Sequence, residues 1–141
     1  MNEKYVILQT SFQKLIRRMG EEWGKFMPKG ISASHVSILW MLNDNDSLKV
    51  SELAHRLGIT PGGMTGLSDK LASCGYIERV RCEEDRRVVH LKITGEGRQF
   101  LQELKEHNAH LMARLFAGFE EEDGDRLLEL IRKIMDNMEM K

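Results

Sequence analysis

The sequence predicts a mainly α chain with a small β-wing (α+β), and three observations carry that prediction. Apolar residues recur every three or four positions over most of the 141 residues, the spacing of one helix face. Between Leu48 and Thr94 two short helical patterns meet at a tight turn. After Gly75 the period falls from 3.6 to 2, the mark of strands.

The chain opens with a helical pattern over residues 4–26, with Leu8, Phe12, Leu15, Ile16, Met19, Trp23 and Phe26 on one wide apolar stripe. Gly20 and Gly24 weaken its last turns, and Pro28 with Gly30 ends it. Ser32 is a cap for the next helix, whose Val36, Leu39, Trp40 and Leu42 are expected to face inward before the Asn43-Asp44-Asn45-Asp46 turn. Leu48-Lys49-Val50 has room for a single short strand.

A third helix is expected to open at Ser51 and to bury Leu53, Ala54 and Leu57 before Gly58 stops it. Thr60 supplies a capping hydroxyl for a fourth helix, and Pro61 stands at its first position, where the missing N–H costs nothing. Met64, Leu67, Leu71 and Cys74 form its inward stripe. The opposite side holds Gly62, Thr65, Gly66, Asp69 and Ser73, with Lys70 at its flank, so it is nearly free of bulk. Three glycines (Gly62, Gly63, Gly66) each weaken this helix by roughly 1 kcal/mol against alanine. A bare first turn of this kind fits a helix that approaches another backbone closely, with its free N–H groups turned to phosphate.

Ile77, Arg79 and Arg81, then Val89, Leu91 and Ile93, mark the two strands of a hairpin with the charged tip Cys82-Glu83-Glu84-Asp85-Arg86-Arg87. A helix-turn-helix followed by such a ribbon is a winged helix-turn-helix, in which the helix enters the major groove of DNA and the wing the adjoining minor groove. Arg86 is placed to enter a narrow minor groove and Arg87 to bind the flanking phosphate, while Asp85 and Arg79 are expected to pair across the hairpin. Thr65 and Ser68, with the backbone near Pro61, are expected to touch base edges. From Gly95 two further helical stripes follow, Phe100 to Phe116 and Leu127 to Met138. The second is apolar on more than one side, more than a surface helix of a small monomer needs, which fits either core packing or burial against a second copy, and it is expected to start at Asp123.

Several short stretches in this order resemble the MarR family of bacterial transcriptional regulators. They are Ser51-Glu52-Leu53-Ala54, Leu57-Gly58-Ile59, Leu67-Ser68-Asp69-Lys70-Leu71, Gly75-Tyr76-Ile77-Glu78-Arg79, Asp85-Arg86-Arg87 and Leu91-Lys92-Ile93-Thr94-Gly95-Glu96-Gly97. The resemblance spans nearly the whole chain. It implies a homodimeric repressor or activator that binds a near-palindromic operator on double-stranded DNA and is often released by a small-molecule effector or by oxidation. The DNA-binding set it implies is Ser51, Thr60, Pro61, Gly62, Gly63, Thr65, Ser68, Lys70, Arg79, Asp85, Arg86 and Arg87. Residues 31–98 would form the DNA-binding lobe of one domain, residues 1–30 and 99–141 its dimerisation lobe, and the short strand near Leu48 would pair with the wing.

Bulk properties bound the alternatives. The net charge of −1 is low for a DNA binder, but the charges are unevenly spread: nine Lys/Arg stand against seven Asp/Glu over residues 49–98, and six against ten over residues 99–141. No apolar run is long enough for a membrane span and no signal-peptide pattern is present, so a cytoplasmic protein without membrane contact is expected. No phosphate loop or nucleophile elbow marks an enzyme, and no cofactor is expected. His107 and His110 lie one turn apart but lack a third metal ligand, and metal-sensing members of the family use histidines on this helix. Cys74 reads as a core filler, and Cys82 sits between Arg81 and two glutamates that oppose thiolate formation. A metal- or redox-responsive regulator and a winged-helix protein-docking module are the competing readings.

Overall fold

The computed structural model describes residues 2–140. Its elements in chain order are α1 (Glu3–Phe26), α2 (Ala33–Asp44), β1 (Leu48–Lys49), α3 (Val50–Leu57), α4 (Pro61–Ser73), β2 (Ile77–Arg81), β3 (Val89–Ile93), α5 (Gly95–Leu115) and α6 (Glu121–Glu139). The strands form one antiparallel sheet in the order β1-β3-β2. Leu48 pairs with Leu91, as the family resemblance implies for the short strand, and Ile77 through Arg81 pair with Ile93 through Val89. No helix among the described residues is long and apolar enough to cross a membrane.

The chain divides into two compact units, Met1–His107 and Asn108–Lys141. In the first, Ile38, Leu39 and Leu42 of α2, Leu53 of α3, Met64 and Leu71 of α4 and Leu91 of β3 are wholly buried, with Phe100, Leu101 and Leu104 of α5 beside them. Helix α2 turns His35, Ile38, Leu39 and Leu42 inward, so Trp40, expected inside, is exposed, lying a full 100° around the helix from Leu39. Four rings run through this unit: Tyr76 stacks on Phe100 at 4.8 Å, Phe100 lies 6.4 Å from Phe26, and Phe26 stacks on His107 at 4.5 Å.

Thr94 joins the wing to α5. Its hydroxyl donates to the Gly75 carbonyl at 2.6 Å and accepts from Gly97 N–H at 3.1 Å. Gly97 is obligatory there, because a Cβ would stand 2.3 Å from the Tyr76 carbonyl oxygen.

Two helix starts differ from expectation. Helix α3 begins at Val50 with Lys49 as its cap, because β1 runs straight into it; Ser51 therefore lies inside the first turn rather than at the cap. Helix α6 begins at Glu121 rather than Asp123, since the Asp123 carboxylate accepts the Glu120 N–H at 2.9 Å and closes the turn early. Neither α1 nor α6 buries a single residue. Leu8, Phe12, Leu15, Ile16 and Trp23 stay exposed on α1, as do Leu128, Ile131, Ile134, Met135 and Met138 on α6.

Candidate nucleic-acid interface

Gly58 ends α3 in the left-handed region at φ 66°, a conformation that costs a residue with a Cβ more than glycine. The chain then reverses through Ile59 and restarts at Thr60, whose Oγ1 accepts from Gly63 N–H at 3.0 Å. Pro61 takes the first helical position of α4. Gly62, Gly63 and Gly66 are exposed, and a Cβ at Gly62 or Gly66 would meet nothing within 4 Å. Thr65 is exposed on the same face and donates its hydroxyl to the Pro61 carbonyl at 3.0 Å. The first turn of α4 is thus a bare ridge.

Between that ridge and the wing lies a groove of about 820 Å³. Its helix side carries Ser51, Pro61, Thr65 and Asp69; its wing side carries Arg79, Arg81 and Arg87. Lys49 and His55 also line it, and neither they nor Arg81 belong to the set expected from the sequence. Arg81 has a signal there, since it lies two residues from Arg79 and so on the same strand face.

Two expected site residues are not presented as expected. Ser68, expected at a base edge, borders the groove but is only 2% exposed and donates its hydroxyl to the Met64 carbonyl at 2.7 Å. It sits one turn after Met64 and one turn before Leu71, both wholly buried, so it belongs to the packed side of α4. Lys70 is half-buried and lies over the loop before α2: a Cβ at Gly30 would stand 2.9 Å from its Cε and 3.1 Å from its Nζ. There its charge, after desolvation, helps to hold the buried His35 below the usual imidazole pKa.

The wing is wired differently from expectation. Arg79 does not pair with Asp85; its Nη2 donates to Asp69 Oδ1 of α4. Asp85 instead accepts from Arg87, from its N–H at 3.0 Å, its Nε at 3.1 Å and its Nη2 at 3.3 Å. The Arg87 side-chain hydrogen bonds, then the backbone one, hold the Asp85 carboxyl below the ordinary carboxylate pKa. Arg87 is therefore already paired, while the Arg86 side chain is exposed and carries no partner among the described residues.

Cys74 and Cys82 are free thiols, both half-buried. His107 is stacked on Phe26, and among the described residues no group of three His, Cys, Asp or Glu is placed to hold a metal.

A model of the MarR family matches residues 31–89, the stretch from two residues before α2 to the first residue of β3. The HTH-type transcriptional repressor MdtR of Bacillus subtilis is 32% identical over 123 residues, covering 87% of this chain and 77% of its own. The YusO protein of the same organism superposes with a TM-score of 0.81 at 28% identity, over 96% of this chain and 99% of that one. A cysteine-to-serine mutant of MarR from E. coli, solved with operator DNA, shares the fold with a TM-score of 0.67 at 20% identity, over 93% and 95% of the two chains. With the groove, the glycine-faced helix and the wing in their places, this chain belongs to the MarR family of transcriptional regulators.

Proposed function

We propose that this protein is a cytoplasmic homodimeric repressor that binds a near-palindromic operator on double-stranded DNA and is released by a small-molecule effector. The observation that carries the DNA-binding part is the bare face of α4 opposite a basic wing: Gly62 and Gly66 leave open space where side chains would stand, and Arg86 projects unpaired nearby. Such a helix can bring its backbone N–H groups and the Thr65 hydroxyl close to the duplex, and the charges of Arg79, Arg81 and Arg87 along the groove, each held by a partner within the protein, favour a polyanion there. The groove has aliphatic residues, Val50, Ala54, Ile59, Val88 and Val89, along its lining, but among the described residues no Phe, Tyr or Trp lines it, and aromatic bulk is what a protein-docking surface is enriched in.

The exposed apolar stripes of α1 and α6 support the dimer, because apolar faces of that length on a monomer would be left in water. Two copies would set two copies of α4 about 10 base pairs apart. In that reading residues 31–98 touch DNA, and residues 1–30 and 99–141 hold the dimer. Effector release rests on the family resemblance.

Selection of binding sites from random duplex DNA, paired with light scattering of the free protein, tests the reading. The expected result is an inverted repeat with half-sites one helical turn apart, bound by a particle of twice the chain mass. Recovery of no sequence above background, at low and at physiological salt, overturns it.

A further inference from the structure

Arg81 closes β2, held in the sheet opposite Val89, and its Nη1 donates to the carbonyl of Arg86 at 2.8 Å. The geometry points to Arg81 as a positioning residue for the wing: it fixes the backbone that presents Arg86 to the minor groove. This rests on the DNA-binding reading above.

The tip that must be ordered, Glu83 to Arg87, contains no apolar residue, so hydrophobic burial cannot hold it. Hydrogen bonds have to do so. Cys82 N–H donates to the Val88 carbonyl at 3.0 Å, and Val88 N–H to the Asp85 carbonyl at 3.0 Å, which closes the two ends of the loop. The peptide between Arg86 and Arg87 is gripped on both sides: Arg81 holds its carbonyl, and the Asp85 carboxylate holds its N–H at 3.0 Å. With both polar atoms engaged, the plane of that peptide is set, and with it the direction from which the Arg86 side chain leaves the backbone. Both bonds involve an ionised partner, which makes each stronger than a neutral one. A guanidinium brought to a narrow groove on such a mount loses less conformational freedom on binding than one on a loose loop.

The test uses full-length Arg81→Ala, Arg86→Ala and the double variant, with thermal melts to establish folding. In the free protein, backbone order parameters at Arg86 and Arg87 should fall in Arg81→Ala from the rigid range, about 0.85, to below about 0.6, and stay high in Arg86→Ala. The selected operator is then prepared with A·T or G·C flanks and titrated at several salt concentrations. Arg81→Ala and Arg86→Ala should each weaken binding on the order of tenfold and lose the preference for A·T flanks. The double variant should bind within about twofold of Arg86→Ala, because both changes remove one contact.

Unchanged order parameters in Arg81→Ala overturn the inference, whatever the DNA data. Losses that multiply in the double variant, with a salt slope lower by about two, overturn it in favour of Arg81 contacting phosphate itself. Wild-type affinity of Arg86→Ala on both flanks overturns the DNA-reading wing and the inference with it, an outcome distinct from the other two because Arg86 then has no effect.

Discussion

Arg79 of β2 is bonded to Asp69 of α4, so this arginine ties the wing to the groove-facing helix and not to Asp85 at the wing tip. The pair is exposed, at 40% and 62% of the two side chains, and its contribution to stability is at most about 1 kcal/mol. Its expected effect on DNA binding is larger, because Asp69 offsets the charge of an arginine that lines the groove. Asp69→Asn should leave the melting temperature nearly unchanged and free Arg79 to meet a phosphate. The salt slope of binding should steepen by about one, and affinity for a scrambled duplex should rise more than affinity for operator. A salt titration on both duplexes measures this; an unchanged slope would show that Arg79 stays out of reach of the backbone.

Stability should depend on pH through His35. Its Nδ1 accepts the Ser32 N–H at 2.9 Å and lies 2.8 Å from the Ser32 hydroxyl, capping α2 from a buried position. Desolvation and then the charge of Lys70 lower its pKa below the ordinary 6.5. Below that pH the unfolded chain binds the proton more readily than the folded one, so stability is complete above about 6.5 and declines as pH falls beneath it. Protonation would also take away the acceptor that caps the helix. Thermal melts from pH 8 to 5 should therefore show a falling midpoint, flatter in His35→Gln, which keeps a capping acceptor without the titration. Equal slopes for the two proteins would remove His35 from the effect. Asp85, whose carboxyl is lowered, is lost only at more acid pH than its ordinary 3.8 and does not enter this window.

The elements were legible in the sequence because each leaves a period: 3.6 along α1, α4 and α5, and 2 along β2 and β3. The site was legible in outline. Thr65 and Ser68 are similar hydroxyls three residues apart on α4, yet one is exposed and the other buried; the spacing of Ser68 from Met64 and Leu71 held that answer, and its polarity pointed the other way. The partner of Arg79 was not legible, because Asp69 lies on another element and only the packing of α4 on β2 brings them together. Asp85 was the wrong choice on distance. Arg79 stands opposite Leu91, three residues down the strand from the tip, roughly 10 Å away along the ribbon.

Assembly should depend on the outer stripes of α6. Ile131 and Ile134 are 41% and 43% exposed, three residues apart on one face. Aspartate at both should leave the helical pattern intact while placing charge in the proposed interface. Light scattering should then give the mass of one chain, and operator affinity should fall about a hundredfold or more, since each half-site would be bound independently. Dimeric mass with full affinity would place the interface elsewhere.

The glycines of α4 should set stability and binding against each other. Gly66 lies in the helix interior with nothing within 4 Å of a Cβ, so Gly66→Ala removes a helix-weakening residue without a clash. It should stabilise the fold by about 0.5–1 kcal/mol and raise the midpoint by roughly 4 °C or less. If the ridge meets DNA, the same methyl stands between α4 and the duplex, and operator affinity should fall severalfold. Gly62→Glu extends the contrast. A Cβ there also meets open space, and a carboxylate in the first turn of a helix is favourable to the fold, so the protein should melt at or above the wild-type temperature. Its charge would face phosphate, and binding should be lost at every salt concentration at which the wild type binds. The two measurements must move in opposite directions for this face to be the one that enters the groove. A Gly62→Glu protein that is folded and binds operator normally would remove the first turn of α4 from the interface, leaving the wing as the remaining DNA-contacting surface.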